Sequence, residues 1–247
     1  MHLSRRVLTA LAVFVAVLSG VDAFALTVSP LQVEMTSAGA RNHATVSVVN
    51  NSSLPLPIEA VVQRMSLDEN GKAQTAKAGE EFLVMPPQVL IAPGATQNFR
   101  IQWLGDPVID VSQSFYIFFN QVPVKAPAGQ AAVQVVMSMA VMVNVAPPQG
   151  TPSLQVVETG VSTDGKGKRH PTVTVKNPTK VHALLPQSSI YLTGAGWSQT
   201  LPSGLLSDTI GTGLVQPGKY RKFVLPVELP AGVTSVQASI VMSLPKR

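Results

Sequence analysis

Few residues in this chain could support catalysis, and they do not form known catalytic patterns. The histidines at positions 2, 43, 170 and 182 show no zinc-site spacing, and there is no H-E-x-x-H, no G-x-S-x-G and no phosphate-binding glycine loop. Cysteine is absent, which excludes thiolate metal sites and cysteine nucleophiles. His43 and His182 are expected at the surface or in turns. The sequence therefore predicts a protein that is not an enzyme and that needs no cofactor or metal.

One stretch has a pattern suited to binding. Residues 131–145, AAVQVVMSMAVMVNV, carry an apolar residue at every odd position, whereas the even positions are mixed. Because successive side chains of a strand point to opposite faces, this strand would have one continuous apolar ridge. It carries no charge, proline or glycine and would be about 50 Å long at roughly 3.3 Å per residue. Such a strand is either buried on both faces or paired with another strand, because an exposed one promotes aggregation.

The rest of the chain is predicted to be all-β. Short apolar runs alternate with turn sequences, and 20 prolines and 18 glycines interrupt them. About seven strands before residue 147 are typical of an immunoglobulin-like sandwich. Pro30 should break the first strand at an edge or where the chain changes sheets, and DENG at 68–71 is a hairpin signal. The expected strands are 26–35, 44–49, 57–65, 82–85, 96–103, the aromatic-rich and central 114–122, and 131–145.

The order of segments predicts an exported protein with two domains. Residues 1–25 have the basic start, the apolar run and the final A-x-A of a signal peptide, and the apolar run is shorter than the ~20 residues of a membrane-spanning helix. An N-terminal domain at 26–146 is followed by a proline-rich linker at 147–152. A second β-domain at 153–247 follows, with strands expected at 154–158, 172–176, 189–193, 220–226 and 235–243.

The charge pattern gives no sign of nucleic-acid binding. The net charge is +5, but the basic residues are scattered. Lys166, Lys168 and Arg169 form the one local cluster in the sequence, and they belong to a predicted solvated turn. Nucleic-acid-binding domains usually concentrate such residues on one face.

An ordered set of motifs resembles one family of proteins. The motifs are MPPQ at 85–88, IAPG at 91–94, FRI at 99–101, SFYIFFNQVP at 114–123, AP at 146–147, VKNPT at 175–179, GW at 196–197, QPG at 216–218 and LP at 225–226. Together they resemble the PapD-like periplasmic chaperones of the chaperone–usher pilus pathway, over essentially the whole mature chain.

The resemblance implies two immunoglobulin-like β-sandwich domains in a boomerang arrangement. It also implies that the last strand of the first domain is lent to a pilus subunit (pilin) whose own sandwich lacks a strand. In this chain the donor residues would be Val133, Val135, Met137 and Met139. An outer-membrane usher would then receive the subunit in the periplasm. No small-molecule substrate is implied, and the free protein could self-associate through the same ridge.

Two positions depart from the family pattern. Classical members hold the subunit's terminal carboxylate with an arginine and a lysine, whose places fall on Gln32 and Met142 here. Neither residue is cationic, which suggests the divergent archaic branch that serves spore-coat-U-like pilins. Arg100 and Lys125 are candidate anchors for the carboxylate. For Arg100, an ion pair between the domains is an equally good interpretation.

Alternatives remain open for the ridge and for the function. The ridge could simply face the core of the first domain, or residues 141–145 could do so while 133–139 are offered outward. Two other functions are a self-associating surface protein such as a pilin or adhesin, and an exported hydrolase. A pilin would be a single incomplete sandwich, and a hydrolase would need a nucleophile and a base that the sequence does not display.

Overall fold

The computed structural model describes residues 26–123 and 136–243, and most of the regular structure in these ranges is strand. The signal peptide predicted at 1–25 lies outside the described residues. The strands that precede residue 147 build the first domain. They are β1 (Leu26–Ser29), β2 (Gln32–Thr36), β3 (His43–Asn50), β4 (Leu56–Leu67), β5 (Ala73–Lys77), β6 (Phe82–Met85), β7 (Gln88–Ile91), β8 (Thr96–Trp103), β9 (Gln113–Gln121) and β10 (Ser138–Ala146).

These strands form two sheets. One has the order β1-β3-β8-β6, and the other has the order β2-β10-β9-β4-β5, with β7 also beside β4. The pairing of β2 with β10 is parallel, whereas β10 and β9 are antiparallel. The chain changes sheets between β1 and β2 at Pro30, which has no N–H to donate to a ladder. The predicted strand 26–35 is therefore two strands, and the expected change of sheets is confirmed.

The core of the first domain lies between the two sheets. Alternation along β8 places Phe99, Ile101 and Trp103 inside and leaves Arg100 outside. The Phe99 ring meets that of Phe119 on β9 edge to face, with centroids 4.8 Å apart. Because β9 lies between β10 and β4, the predicted central position of the aromatic-rich strand is confirmed.

The second domain is also a β structure, with one short helix. Its sheets have the orders β11-β12-β17, β13-β16 and β15-β14-β18. The sequence did not predict the helix, which follows Pro202 and ends at Gly211 in a left-handed conformation (φ 69°). The elements are β11 (Gln155–Thr163), β12 (Arg169–Lys176), β13 (Ala183–Leu184), β14 (Ser188–Gly194), β15 (Trp197–Leu201), α1 (Ser203–Ile210), β16 (Leu214–Val215), β17 (Tyr220–Val224) and β18 (Gln237–Met242).

Both domains close an equivalent turn with a fully buried asparagine, Asn50 in the first and Asn177 in the second. Each side-chain amide donates to the carbonyl four residues further on, at 2.8 Å, and to a carbonyl of a later strand, at 3.0 Å. Each side-chain oxygen accepts the backbone N–H two residues on. A buried asparagine with the same hydrogen bonds therefore stabilises the same turn in both domains.

Replacing Asn177 with alanine should lower the free energy of unfolding by about 2 kcal/mol, because two carbonyls and one N–H each lose a hydrogen bond to its side chain. Denaturant unfolding of the purified protein measures this change. Asn70→Ala is the matched control, since Asn70 is exposed in the turn after β4, and its effect should stay within about 0.5 kcal/mol. Equal effects of the two substitutions would contradict the assignment.

The two domains are docked through the β4–β5 hairpin. The Gln216 side chain accepts the Leu67 N–H at 2.8 Å and donates to the Met65 carbonyl at 3.0 Å. At the hairpin turn, the Lys222 N–H of β17 donates to the Glu69 carbonyl at 2.8 Å. The predicted hairpin at 68–71 is confirmed, and its tip holds the second domain against the first.

Candidate functional site

Strand β10 has an open edge along its first half. On one side, β9 pairs with β10 from Ser138 to Val145. On the other side, β2 pairs with it only from Met142 onward. Among the described residues, no strand covers this second side between Ser138 and Val141. A short edge with free backbone groups is a template for another strand.

The backbone direction shows which groups are free at this edge. The Met137 carbonyl accepts the Gln121 N–H at 2.9 Å, so the odd residues point their backbone groups toward β9. The Met142 N–H donates to the Leu31 carbonyl on the β2 side at 2.9 Å. Because these directions alternate along a strand, the N–H and C=O groups of Ser138 and Ala140 point to the open side.

The apolar ridge runs from the core toward this edge. Val141, Val143 and Val145 are fully buried between the two sheets. Met137 and Met139 are half-buried and pack against the same core. Both methionines therefore lie on the core-facing side of β10, at the end of the ridge where burial in the first domain becomes incomplete. The other two predicted donor residues, Val133 and Val135, lie outside the described residues, and the donor assignment stays a prediction.

The two positions that the resemblance assigns to anchoring cations are neighbours. Met142 on β10 and Gln32 on β2 are direct partners in the parallel pair. Gln32 donates its side-chain N–H to Glu34 at 2.8 Å. Met142 is buried in an apolar cluster that joins the domains, together with Met65, Leu67, Leu184 and Leu214. An apolar contact between the domains therefore fills the place of the classical lysine.

A cleft of about 340 Å³ opens between the domains beside this cluster. Arg41 is the cation that lines it, from the turn between β2 and β3, and Arg41 forms no ion pair with the described residues. No sequence motif marked Arg41, because it belongs to a turn whose position in the cleft depends on the second domain. The other lining residues are Glu34, Met35, Ala146, Thr151, Pro152, Val181, His182, Leu184 and Gln187.

The predicted anchor Arg100 lies elsewhere. It is exposed on the outer face of β8, opposite Thr45 of β3 and Met85 of β6, and it does not line the cleft. Arg100 forms no ion pair within the described ranges. The alternative interpretation, an ion pair between the domains, therefore has no acidic partner among these residues. Lys125, the other candidate, is outside those ranges. The anchor role of both residues stays a prediction.

The expectation that His182 is a surface or turn residue was wrong. Its side chain is only 7% exposed, and its Nε2 lies 2.5 Å from Oε2 of Glu34 in the other domain. Its Nδ1 and its backbone N–H each lie 3.0 Å from Oγ of Ser112. The expectation failed because the first domain covers this histidine with residues distant in sequence.

Glu34 connects the same network to β10. Its Oε1 accepts N–H groups from Asn144 at 2.9 Å and from Gln32 at 2.8 Å. Burial raises the pKa of Glu34, but the hydrogen bonds and the charge of His182 oppose burial, and the pKa is lowered from its ordinary value. Glu34 is therefore a carboxylate that its partners hold in the ionised form at the domain interface, with 36% of its side chain still exposed.

The sequence of the first domain matches a known protein family. The family model described as "Pili and flagellar-assembly chaperone, PapD N-terminal domain" matches residues 25–150, about half of the chain. The chain belongs to the PapD family of pili and flagellar-assembly chaperones. This confirms the family that the motifs resemble. The match covers the first domain, including the open edge of β10.

Solved structures show the PapD-like fold over most of the chain. The class 5 fimbriae chaperone CfaA is 15% identical, with a TM-score of 0.54, over 90% of this chain and 100% of that one. A chain of the Salmonella enterica complex between the SafA pilin and the SafB chaperone is 18% identical, with a TM-score of 0.55, over 90% and 98%. The predicted all-β fold with two immunoglobulin-like domains is confirmed. No curated protein matches the sequence significantly.

No helix in the described part of the chain has the length and apolar character needed to cross a bilayer. In the same residues, no group of three or more histidine, cysteine, aspartate or glutamate side chains is placed to hold a metal ion.

Proposed function

We propose that this PapD-family protein is a periplasmic chaperone that captures pilus subunits at the open edge of β10 and passes them to an outer-membrane usher. The observation that carries the proposal is the uncovered backbone of residues 138–141, next to an apolar ridge that leaves the core. A strand of the subunit would pair with this edge, and the ridge would fill the groove where the subunit lacks a strand. The predicted signal peptide supports export to the periplasm.

The ridge side chains could supply enough binding free energy for tight capture of a subunit. Each buried valine or methionine contributes roughly 1.5–3 kcal/mol. Four ridge residues, Val133, Val135, Met137 and Met139, could therefore support nanomolar affinity if ordering costs stay modest. Methionine side chains adapt to different surfaces, which suits a chaperone that receives several subunits. The absence of cations at Gln32 and Met142 supports the archaic branch, and the same free edge supports self-association while no subunit is bound.

Co-expression with pilins tests the capture step. The chain, tagged at its C-terminus, is expressed with small exported β-proteins of the source organism and purified from the periplasm. We expect one or more of them to co-purify, and expect Met137→Glu to prevent this without unfolding the chaperone. If no β-rich subunit co-purifies, or if Met137→Glu leaves capture intact, the proposal of strand donation is wrong.

A cleft cation should strengthen capture, and Arg41 is placed to supply it. We expect Arg41→Ala to weaken binding of a pilin about tenfold, because a carboxylate in the cleft loses a charged partner. A pilin whose C-terminus is extended by a tag should bind both forms equally. Titration calorimetry measures the change.

Arg100→Ala is the matched control for Arg41→Ala, since it removes an exposed arginine on the outer face of β8. If Arg100→Ala weakens capture and Arg41→Ala does not, Arg100 is the anchor, as the sequence predicted. If the weakening by Arg41→Ala persists with the extended pilin, Arg41 acts on something other than the terminal carboxylate.

A further inference from the structure

Two ion pairs join the domains among the described residues, and they differ in burial. Lys180 and Asp110 lie 3.6 Å apart with both side chains largely exposed, so solvent screens them. Glu34 and His182 lie 2.5 Å apart, and the histidine is buried. Only the Glu34 side of the second pair is reached by solvent, since 36% of that side chain is exposed. Solvent therefore screens this pair less than the first, and it has the greater influence on how the domains sit.

The hydrogen bonds around Glu34 and His182 suit an ionised Glu34. The Oγ of Ser112 accepts the His182 backbone N–H and lies within hydrogen-bond distance of Nδ1. On the other side of the ring, Nε2 donates its hydrogen to the Glu34 carboxylate. Glu34 then accepts from three side chains and donates to none. A protonated Glu34 would bring a hydrogen into a site that supplies only donors.

We propose that Glu34 and His182 form a latch that fixes the second domain against the first, and with it the width of the cleft, while Glu34 is ionised. The latch joins β2, which pairs with β10, to the segment before β13. It therefore positions one wall of the cleft relative to the strand that carries the open edge. The effect on subunit capture rests on the function proposed above, whereas the effect on domain geometry does not.

The latch has a defined dependence on pH. Because the pKa of Glu34 is lowered, the latch is complete above the ordinary pKa of glutamate and opens as the pH falls through the lowered value. Mild acid should therefore leave it closed. Charged groups near the pair on the described elements are Arg41 on the cleft wall and the exposed Asp110–Lys180 pair. Solvent screens the exposed pair.

Distances between spin labels test the proposal without any subunit. The chain has no cysteine, so Thr45→Cys and Ser239→Cys, both at exposed positions, place one label on each domain. We expect a single narrow distance distribution at neutral pH and a broad one in acid, once the pH is below the lowered pKa of Glu34. Glu34→Gln, which resembles the protonated side chain, should give the broad distribution already at neutral pH. The ratio of latched to open molecules should fall about tenfold to a hundredfold.

Glu59→Gln is the matched control, because Glu59 accepts a hydrogen bond from Gln88 on the first domain, away from the interface. It should keep the narrow distribution. If Glu34→Gln does not fold, as circular dichroism would show, the acid titration of the labelled parent still tests the latch. An unchanged distribution in acid, or equal broadening by the two substitutions, would overturn the proposal.

Capture of a co-expressed pilin separates this proposal from the proposed function. If the latch sets the cleft, Glu34→Gln should lower capture about tenfold at neutral pH, and Glu59→Gln should not. A parent protein that captures no pilin but shows the pH-dependent distances would disprove the chaperone function and leave the latch intact. Capture that stays normal while the distances broaden would show that the latch does not set the cleft for the subunit.

Discussion

Replacement of Ala140 by proline should lower capture of a pilus subunit by roughly a hundredfold while the chaperone stays folded. The Ala140 N–H points to the open side of β10, where a subunit strand would accept it. Proline removes this donor, which is worth about tenfold in affinity, and its ring occupies the space of the incoming strand. The ladder to β9 uses the odd residues and keeps its hydrogen bonds. Proline is tolerated where the N–H of an edge strand faces solvent.

The measurement is pull-down or calorimetry with a co-expressed pilin, together with thermal unfolding of the free chaperone. Ala140→Val is the matched control, because valine adds similar bulk, favours strands and keeps the N–H. It should bind within about threefold of the parent, which is less than one hydrogen bond. Equal loss with valine and proline would mean that the side chain, and not the free backbone edge, makes the contact.

Replacement of Met142 by lysine should destabilise the protein by about 3–5 kcal/mol and should not create a carboxylate anchor. In the classical family a lysine occupies the corresponding place, so the resemblance alone would suggest that the change is harmless. Here Met142 is 4% exposed and packs against Leu184 and Leu214 of the second domain. An ammonium group in this cluster would be buried without an acidic partner, and such a charge costs several kcal/mol.

Denaturant unfolding gives the free energy, and Met142→Leu is the control. Leucine conserves volume and apolar character, so its cost should stay below about 1.5 kcal/mol. If Met142→Lys lowers the free energy of unfolding no more than Met142→Leu does, the two domains separate easily at this cluster. Met142 would then face solvent in the working protein.

Local pattern was enough to predict much of the fold. Alternation of apolar residues at 131–145 predicted the strand that the structure describes as β10 from Ser138 onward. Pro30 predicted a change of sheets, and DENG at 68–71 predicted a hairpin. These features depend on residues that are neighbours in sequence, so a single sequence is sufficient to find them. The short helix α1 was missed, because eight residues hold too few turns for an apolar period to appear.

The interface between the domains could not be predicted in the same way. His182 is buried by Glu34, which is 148 positions away in the chain, and nothing in the local sequence marks that contact. Met142 looked like a missing cation, although it is an apolar contact whose partners belong to the second domain. The position of Arg41 beside the cleft was missed for the same reason. Each of these positions depends on how two folded units dock.

The half-buried methionines at the start of β10 link binding to folding. Met137 and Met139 pack against the core of their own domain, but incompletely, because no strand within residues 26–123 and 136–243 covers the adjoining edge. A bound subunit would bury the remainder of both side chains, so it would bind the folded domain in preference to the unfolded chain. By mass action, the free energy of unfolding then rises with the concentration of subunit. The chaperone and the unfinished sandwich would stabilise each other, and each would lose part of its stability when the usher separates them.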